Sequence, residues 1–295
     1  MKIGILTFEK FHRKPFNSIG SSRIRVNDMV KYWDDAEIYK YGQKYDVMIY
    51  QKVYWTEHAK TFRGLKILDI CDADFMHWGY KTIEMLQYCD ALVTPTQKLA
   101  VALARYTDKP VWVIPDRMDL NNYPHKKTHT GKAKKIGWYG YAQNFHIVNE
   151  SGIMKALYDL NKKAADLEFI AISNGMYVPP AFAKDAVKIT NYRWSLKTVN
   201  QDIQKCDIII NPKLDSGPYQ YKSNNKTLHA LALGVPVAHD LNELLALMDG
   251  DARNTEIEEK TKLLKDKYHI TQSVEEYKNL IKDIYVSAKK EVDNS

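Results

Sequence analysis

No stretch of this 295-residue sequence reaches ~18 consecutive apolar residues, so it offers no transmembrane helix. The apolar start at residues 1–8 is followed at once by Glu9, Lys10, His12, Arg13 and Lys14, which leaves neither a signal-peptide core nor a cleavage site and reads as a first strand. Cysteine is scarce. Cys71, Cys89 and Cys206 are odd in number and far apart, with no C-x-x-C pair and no His at zinc-ligand spacing. That argues against a disulfide framework and a structural metal, and for a reducing compartment, here the cytoplasm (of a host cell if the chain is viral). Gly (13 residues) and Pro (10) are also few, and with 45% hydrophobic and 27% charged residues the composition excludes disordered and collagen-like chains. Several motifs are missing: the P-loop, the G-x-G-x-x-G turn after a strand, H-E-x-x-H and G-x-S-x-G. The simplest phosphotransferase, nicotinamide or flavin, metalloprotease and α/β-hydrolase readings go with them.

What is present is length for about two domains of roughly 100–200 residues each. Short apolar runs alternate with amphipathic stretches. Residues 2–8, 46–50, 65–71, 91–95 and 111–115 read as strands of a parallel sheet, with helical spacing at Val26, Met29, Val30 and Trp33 and an Ala/Leu helix over 96–106. The polar, basic stretch 125–132 reads as a linker. A second series follows, with strands at 135–139, 167–172, 206–212 and 235–238 and helices at 153–160, 199–205 and 227–233. The tail after Thr255 reads as charged helix, with Ser273 to Glu276 a capping box opening the last one. The spacing predicts domains at 1–128 and 129–268 and a C-terminal helix over 269–295 that packs back across their junction. Two doubly wound halves bind ligands where the strands end.

The most informative segment runs from Asn211 to Ala238. A strand ends at Pro212, a polar loop follows, and a helix opens near Asn225 with its N–H groups pointing into the loop, an anion site. Lys222 and Lys226 lie four apart and can both face a diphosphate there. Lys222, Ser223, Lys226, Ala230, Ala232, Gly234, Pro236, Val237 and Ala238 match K-S/T-x-x-K-x-x-E-A-x-A-x-G-x-P-V-I/V-A. This block resembles the donor-binding segment of retaining, nucleotide-sugar-dependent glycosyltransferases of the GT-B fold. The likeness continues in Cys89 to Thr96, in Val113 to Asp119 and in the strand and glycine turn from Ile136 to Tyr141. It implies an α/β protein of two Rossmann-like, doubly wound domains facing a central cleft. The implied co-substrate is a nucleoside-diphosphate sugar, with UDP-sugar the expected donor, and no cofactor or metal is implied.

The resemblance assigns donor-binding positions to Gly20, Ser21, Ser22, Gly140, Tyr141, Lys222, Ser223, Asn225, Lys226 and His229, and catalytic ones to Arg23, Lys226, Asp72 and Asp74. Ser22 also reads as the N-cap of the first helix. His229 stands where the family carries a ribose-binding Glu, and Tyr221 where it carries a second acid. The imidazole can accept a ribose hydroxyl proton or sit in the core. Asp72-Ala73-Asp74 has the D-x-D look of the metal-dependent GT-A fold, which does not explain the second half or the lysine block. Trp194, Tyr219 and Tyr221 offer faces for stacking on a nucleobase or the acceptor. His77, Trp78 and His146 lie in loops after strands.

Lys plus Arg (43) exceeds Asp plus Glu (36) for a net charge of +7. Residues 1–129 carry 20 basic and 15 acidic side chains, so most of the surplus is there. The surplus allows an anionic partner without demanding one, and because the resemblance places acceptor binding on this half, DNA with a hydroxymethylated base stands slightly ahead of a surface or lipid-linked glycan as acceptor. The missing acidic pair also suits a non-catalytic binder of nucleic acid or nucleotide.

Overall fold

Strands buried on both faces need unbroken apolar runs. In the computed structural model, which describes residues 1–14, 19–77, 79–164, 166–184 and 186–293, those runs form two parallel sheets. The chain divides into two units: Met1–Asp119 with Gln220–Asn224 and Tyr268–Ser295, and Leu120–Tyr219 with Asn225–Lys267. This differs from the contiguous division at 128/129. A five-residue piece of the lysine block and the last helix belong to the first unit.

In the first unit β1 (Ile3–Thr7), β2 (Ala36–Ile38), β3 (Val47–Gln51), β4 (Leu65–Asp69), β5 (Ala91–Thr94) and β6 (Val111–Val113) form a sheet in the order β2-β1-β3-β4-β5-β6. The order reverses between β1 and β3, and a crevice opens beyond the ends of strands at such a point. The edge strand β2, only three residues long, escaped the pattern reading. One face of the sheet packs Ile3, Ile5, Val47, Ile49 and Ile67 against Val26, Met29 and Trp33 and against Ile270, Val274, Tyr277, Leu280 and Ile281 of the final helix, Ile270–Asp293. The other face packs Leu6, Met48, Tyr50 and Leu68 against Ala59, Met85, Leu86, Leu99 and Leu103.

That final helix corrects the capping-box reading. It opens at Ile270, so Ser273 lies inside it, buried, and its Oγ accepts from Arg117. Glu276, read as the return partner of a capping box, instead takes both Arg117 guanidinium nitrogens at 2.8 and 2.6 Å.

The second unit holds β7 (Lys135–Gly140), β8 (Glu168–Ser173), β9 (Lys188–Arg193), β10 (Ile208–Ile210) and β11 (Val237–Ala238) in the order β11-β10-β7-β8-β9, all parallel. Here the reversal lies between β7 and β10. Polar residues on the exposed edge strand β9 hid it from the pattern reading.

The basic stretch 125–132 is built into this unit rather than linking two. Lys127 donates from its backbone to Leu233 O and from Nζ to Cys206 O and Asp207, and buried His129 pairs with Gly234 O at 2.8 Å. It satisfies carbonyls beyond the helix 225–232, that of Leu233 together with Gln204 Nε2. Polar composition disguised a segment held by hydrogen bonds instead of apolar contacts.

Gly137 in β7 has no room for a side chain: a Cβ there would lie 2.3 Å from Cys206 Sγ and 2.8 Å from Ile209 Cδ1. Gly137→Ala is therefore expected to cost ~1–3 kcal/mol through overpacking, read as a lower thermal unfolding midpoint. An unchanged midpoint would contradict this packing. The three cysteines are buried thiols, and among the described residues no helix is long and apolar enough to cross a membrane.

Candidate functional site

At the strand-order reversal of the first unit, β1 runs into a helical turn, Phe8–Phe11, and then into a segment that changes from α (Gly20–Ser22) to π (Arg23–Asn27) to 3-10 (Met29–Tyr32). Such wide turns gather at functional sites. Gly20, Ser21 and Ser22 form its first turn, but Ser22 does not cap it. Ile19 holds the N-cap position, while buried Ser22 Oγ donates to Gln51 Oε1 (3.1 Å) and accepts from Glu9 N (3.3 Å). The serine thus ties the segment to the end of β3.

Arg23, the arginine singled out from the sequence, is half-buried at the start of the π turn. Arg25, two residues on, has the more demanding environment. Its Nε meets both Asp69 oxygens at 2.9 and 2.8 Å, and its Nη1 meets Asp116 Oδ1 at 2.7 Å and Ile114 O at 3.1 Å. Tyr277 donates to Asp69 at 3.0 Å, and Ser223 Oγ donates to the other Asp116 oxygen. Burial pushes the Asp69 carboxyl above its ordinary value, although Arg25 opposes the shift.

Beyond β3 and β4 lies an acid–lysine cluster. Lys52 Nζ sits 2.5 Å from Asp72 Oδ2 and 3.5 Å from Asp74 Oδ1, and Tyr54 donates to Asp74 Oδ2 at 2.7 Å. Lys222 closes the cluster on the second Asp72 oxygen. Burial alone would raise Asp72, but Lys52 and Lys222 outweigh it and hold the carboxyl below its ordinary value. Asp74 goes the other way, raised by burial that Lys52 and Tyr54 only partly offset. The environments thus push the two carboxyls in opposite directions from their ordinary value. Lys52, which no sequence argument reached, adopts a left-handed backbone (φ 53°) that non-glycine residues rarely occupy. The available signal was a lysine directly after a buried strand.

Lys222, four residues before Lys226, is paired with Asp72 and does not share a helix with it. The helix spans Asn225–Ala232, so Lys222 precedes it and belongs with the first unit. Spacing of four aligns side chains only inside a helix. Tyr221 is packed likewise: its ring lies 5.8 Å from Phe75, and its carbonyl accepts from Thr96 Oγ1.

In the second unit the helix Asn225–Ala232 begins at the reversal between β7 and β10. Asn211 Nδ2, just past β10, donates to Thr227 Oγ1 at 3.0 Å, and Tyr139 Oη donates to the Lys226 carbonyl at 2.6 Å. The Lys226 ammonium lies over the Trp138 ring (5.0 Å) and the Tyr139 ring (5.9 Å). Gly140 makes this possible, because a Cβ there would come within 2.6 Å of Nζ. The helix N-terminus and the lysine together carry the partial and full positive charge that an anion would meet there. His229 is buried in the same helix. Its Nε2 pairs with Asn200 Oδ1 at 2.7 Å, and its ring meets Tyr123 and Tyr139, which is the core placement left open by the sequence.

Tyr141 is exposed after β7, and Trp194 follows β9 with its N–H on Ser173 O. Tyr219 meets His146 edge-on at 5.5 Å. His77 is exposed in the first unit, and Trp78 lies outside the described residues. Among the described residues no group of three or more His, Cys, Asp or Glu is placed to hold a metal.

No family model matches the chain, and no curated protein matches its sequence. Solved structures do. The chain is similar to S. aureus TarM at TM-score 0.61 and 12% identity, covering 84% of this chain and 55% of that one. It is similar to a UDP-forming α,α-trehalose-phosphate synthase from Burkholderia xenovorans at TM-score 0.56 and 8% identity, covering 94% and 83%. An E. coli trehalose-6-phosphate protein bound with UDP-2-fluoro glucose aligns at TM-score 0.53 and 12% identity, covering 82% and 73%. The chain spans about half the length of TarM. At such identities the likeness is one of fold, and the fold is GT-B: two units, each a parallel sheet wound with helices.

Proposed function

We propose that this chain is a GT-B glycosyltransferase that moves a sugar from a nucleoside-diphosphate sugar to an acceptor hydroxyl with retention of configuration. The observation that carries the reading is the lysine platform of the second unit: Lys226 over Trp138, beside side-chain-free Gly140, in the first turn of a helix at the strand-order reversal. The fold neighbours bound with UDP-2-fluoro glucose or described as UDP-forming support UDP as the carrier.

The leaving diphosphate gathers negative charge as the glycosidic bond breaks. Lys226 and the N–H groups at Asn225 would stabilise that charge directly, taking the part a metal plays elsewhere. Ionised Asp72 would accept a hydrogen bond from the acceptor hydroxyl and orient it, while Asp74, itself held by Tyr54, helps to position Lys52. Lys222 and Ser223 then act by holding Asp72 and Asp116 rather than by touching the donor. His229, held by Asn200, would set the helix that carries Lys226. The acceptor favoured by the basic surplus of residues 1–129 is a hydroxymethylated DNA base, and buried thiols suit a cytoplasmic enzyme.

Thermal unfolding against UDP-, GDP-, ADP- and CMP-linked sugars tests this. A donor at ~100 times its dissociation constant adds about 2.7 kcal/mol. Stabilisation by UDP-sugars alone is expected. No shift with any of the four would overturn the reading.

A further inference from the structure

One group of cations on the first unit has no use in the chemistry above. After β1 the turn Phe8–Phe11 is closed by residues 12–14: His12 N donates to Phe8 O, Arg13 N to Lys10 O and Lys14 N to Glu9 O, with Arg13 in the left-handed region at φ 52°. This closure fixes where His12 and Lys14 project. Both are exposed, as is Lys81 on the helix Gly79–Tyr88. Lys14 and Lys81 are near enough to His12 that, after burial, their charges depress its proton affinity. Among the described residues neither lysine has an ion pair. Three acids of the neighbouring elements are engaged elsewhere, while Glu57, on the helix Thr56–Thr61 after Trp55, is exposed. Glu9 accepts from Ile19 N and Asn27, Asp72 is held by Lys52 and Lys222, and Glu84 by Lys60.

Exposed rings stand beside these charges. Phe11 is 39% exposed, with its ring 5.1 Å from His12 and 5.8 Å from Trp55, and Tyr80, next to Lys81, is 75% exposed. His12 also stacks at 4.3 Å on Phe8, whose other neighbour is Lys52 at 5.7 Å, already in contact with Asp72. The patch is thus two side chains from the acid cluster.

We propose that Phe11, His12, Lys14, Tyr80 and Lys81 form a binding surface for single-stranded nucleic acid, which presents the acceptor strand to the acid cluster. The role in transfer rests on the glycosyltransferase reading, but the surface itself does not. Lysines without carboxylate partners take phosphates at no cost in broken ion pairs, and exposed aromatic faces beside them take bases of any sequence. Burial, and after it the neighbouring cations Lys14 and Lys81, lower the proton affinity of His12, and a phosphate would favour its protonation, so affinity should rise as pH falls through the His range.

The test is fluorescence anisotropy of the full chain with a labelled oligothymidylate of about 12 nucleotides, repeated across salt concentrations. The double variant Lys14→Ala/Lys81→Ala should bind roughly 10–30-fold more weakly near ~0.1 M salt, with a log–log salt slope shallower by about 1.4. Phe11→Ala should weaken binding about tenfold with the slope unchanged. Lys14→Arg/Lys81→Arg should restore affinity. Thermal unfolding of each variant, with and without UDP-sugar, separates the two readings. Strand binding lost in the double variant supports the surface even if no donor binds. Equal strand affinity in wild type and double variant overturns it, even if UDP-sugar stabilises both, and so does equal competition by a sulfated oligosaccharide of matching charge.

Discussion

Lys226→Ala is expected to lower turnover by ~10²–10³-fold while the protein stays folded. The magnitude is that of losing one preorganised donor to a developing anion, about 2.7–4 kcal/mol in the barrier. The fold should survive because Lys226 is only half-buried, in the first turn of its helix and outside the apolar core of the unit. Its ring contacts at 5.0 and 5.9 Å are cation–π interactions worth ~0.5–2 kcal/mol. Arginine is a poor substitute, since its planar fork has to pass the same Gly140 and Trp138 atoms that shape the lysine's slot. Steady-state rates with UDP-sugar, alongside unfolding midpoints, decide the matter. A variant within threefold of wild type in kcat/KM would remove Lys226 from the chemistry.

Arg25→Ala should produce the largest loss of stability. Arg25 and Asp69 are both buried, and their contacts with Asp116, Ile114 O and Tyr277 join β4, β6, the π turn and the last helix. Removing one member of a buried ion pair strands the others, at a cost of ~3–5 kcal/mol. For a chain of this size that is roughly 6–20 °C in Tm. The variant also carries a pH signature. Burial already raises Asp69 above its ordinary value with Arg25 present, and raises it further without it. A folded carboxyl of raised pKa binds protons that the unfolded one has released, so stability falls as pH rises through that window. The deficit should be smaller near pH 5 than near pH 7.5. A uniform deficit at both would mean that lost packing, not stranded charge, is responsible.

Much of the architecture was legible in the chain because burial of parallel strands on both faces leaves a local mark. β1, β3, β4, β5, β7 and β8 fall where unbroken apolar runs predict them, and the polar edge strands β2 and β9 were the ones missed. The helix start at Asn225 was legible too, since a strand end, a polar loop and a helix start are consecutive in sequence. Partnerships were not. Lys222 meets Asp72 across 150 residues, and Tyr277 meets Asp69 across 208. Nothing local marks Arg25, rather than Arg23, as the buried cation.

Sequence by itself determined the apolar strands, the two-part α/β organisation and the lysine-bearing helix start, because each depends on neighbours within a few turns of chain. Only the tertiary structure decided that Lys222 serves a carboxylate while Lys226 lies on aromatic rings, that Lys52 joins the acids, and that the basic stretch 125–132 is a hydrogen-bonded part of the second unit. A charge acquires its partner from whatever the fold brings within ~4 Å, and that distance is set by segments far apart in the chain.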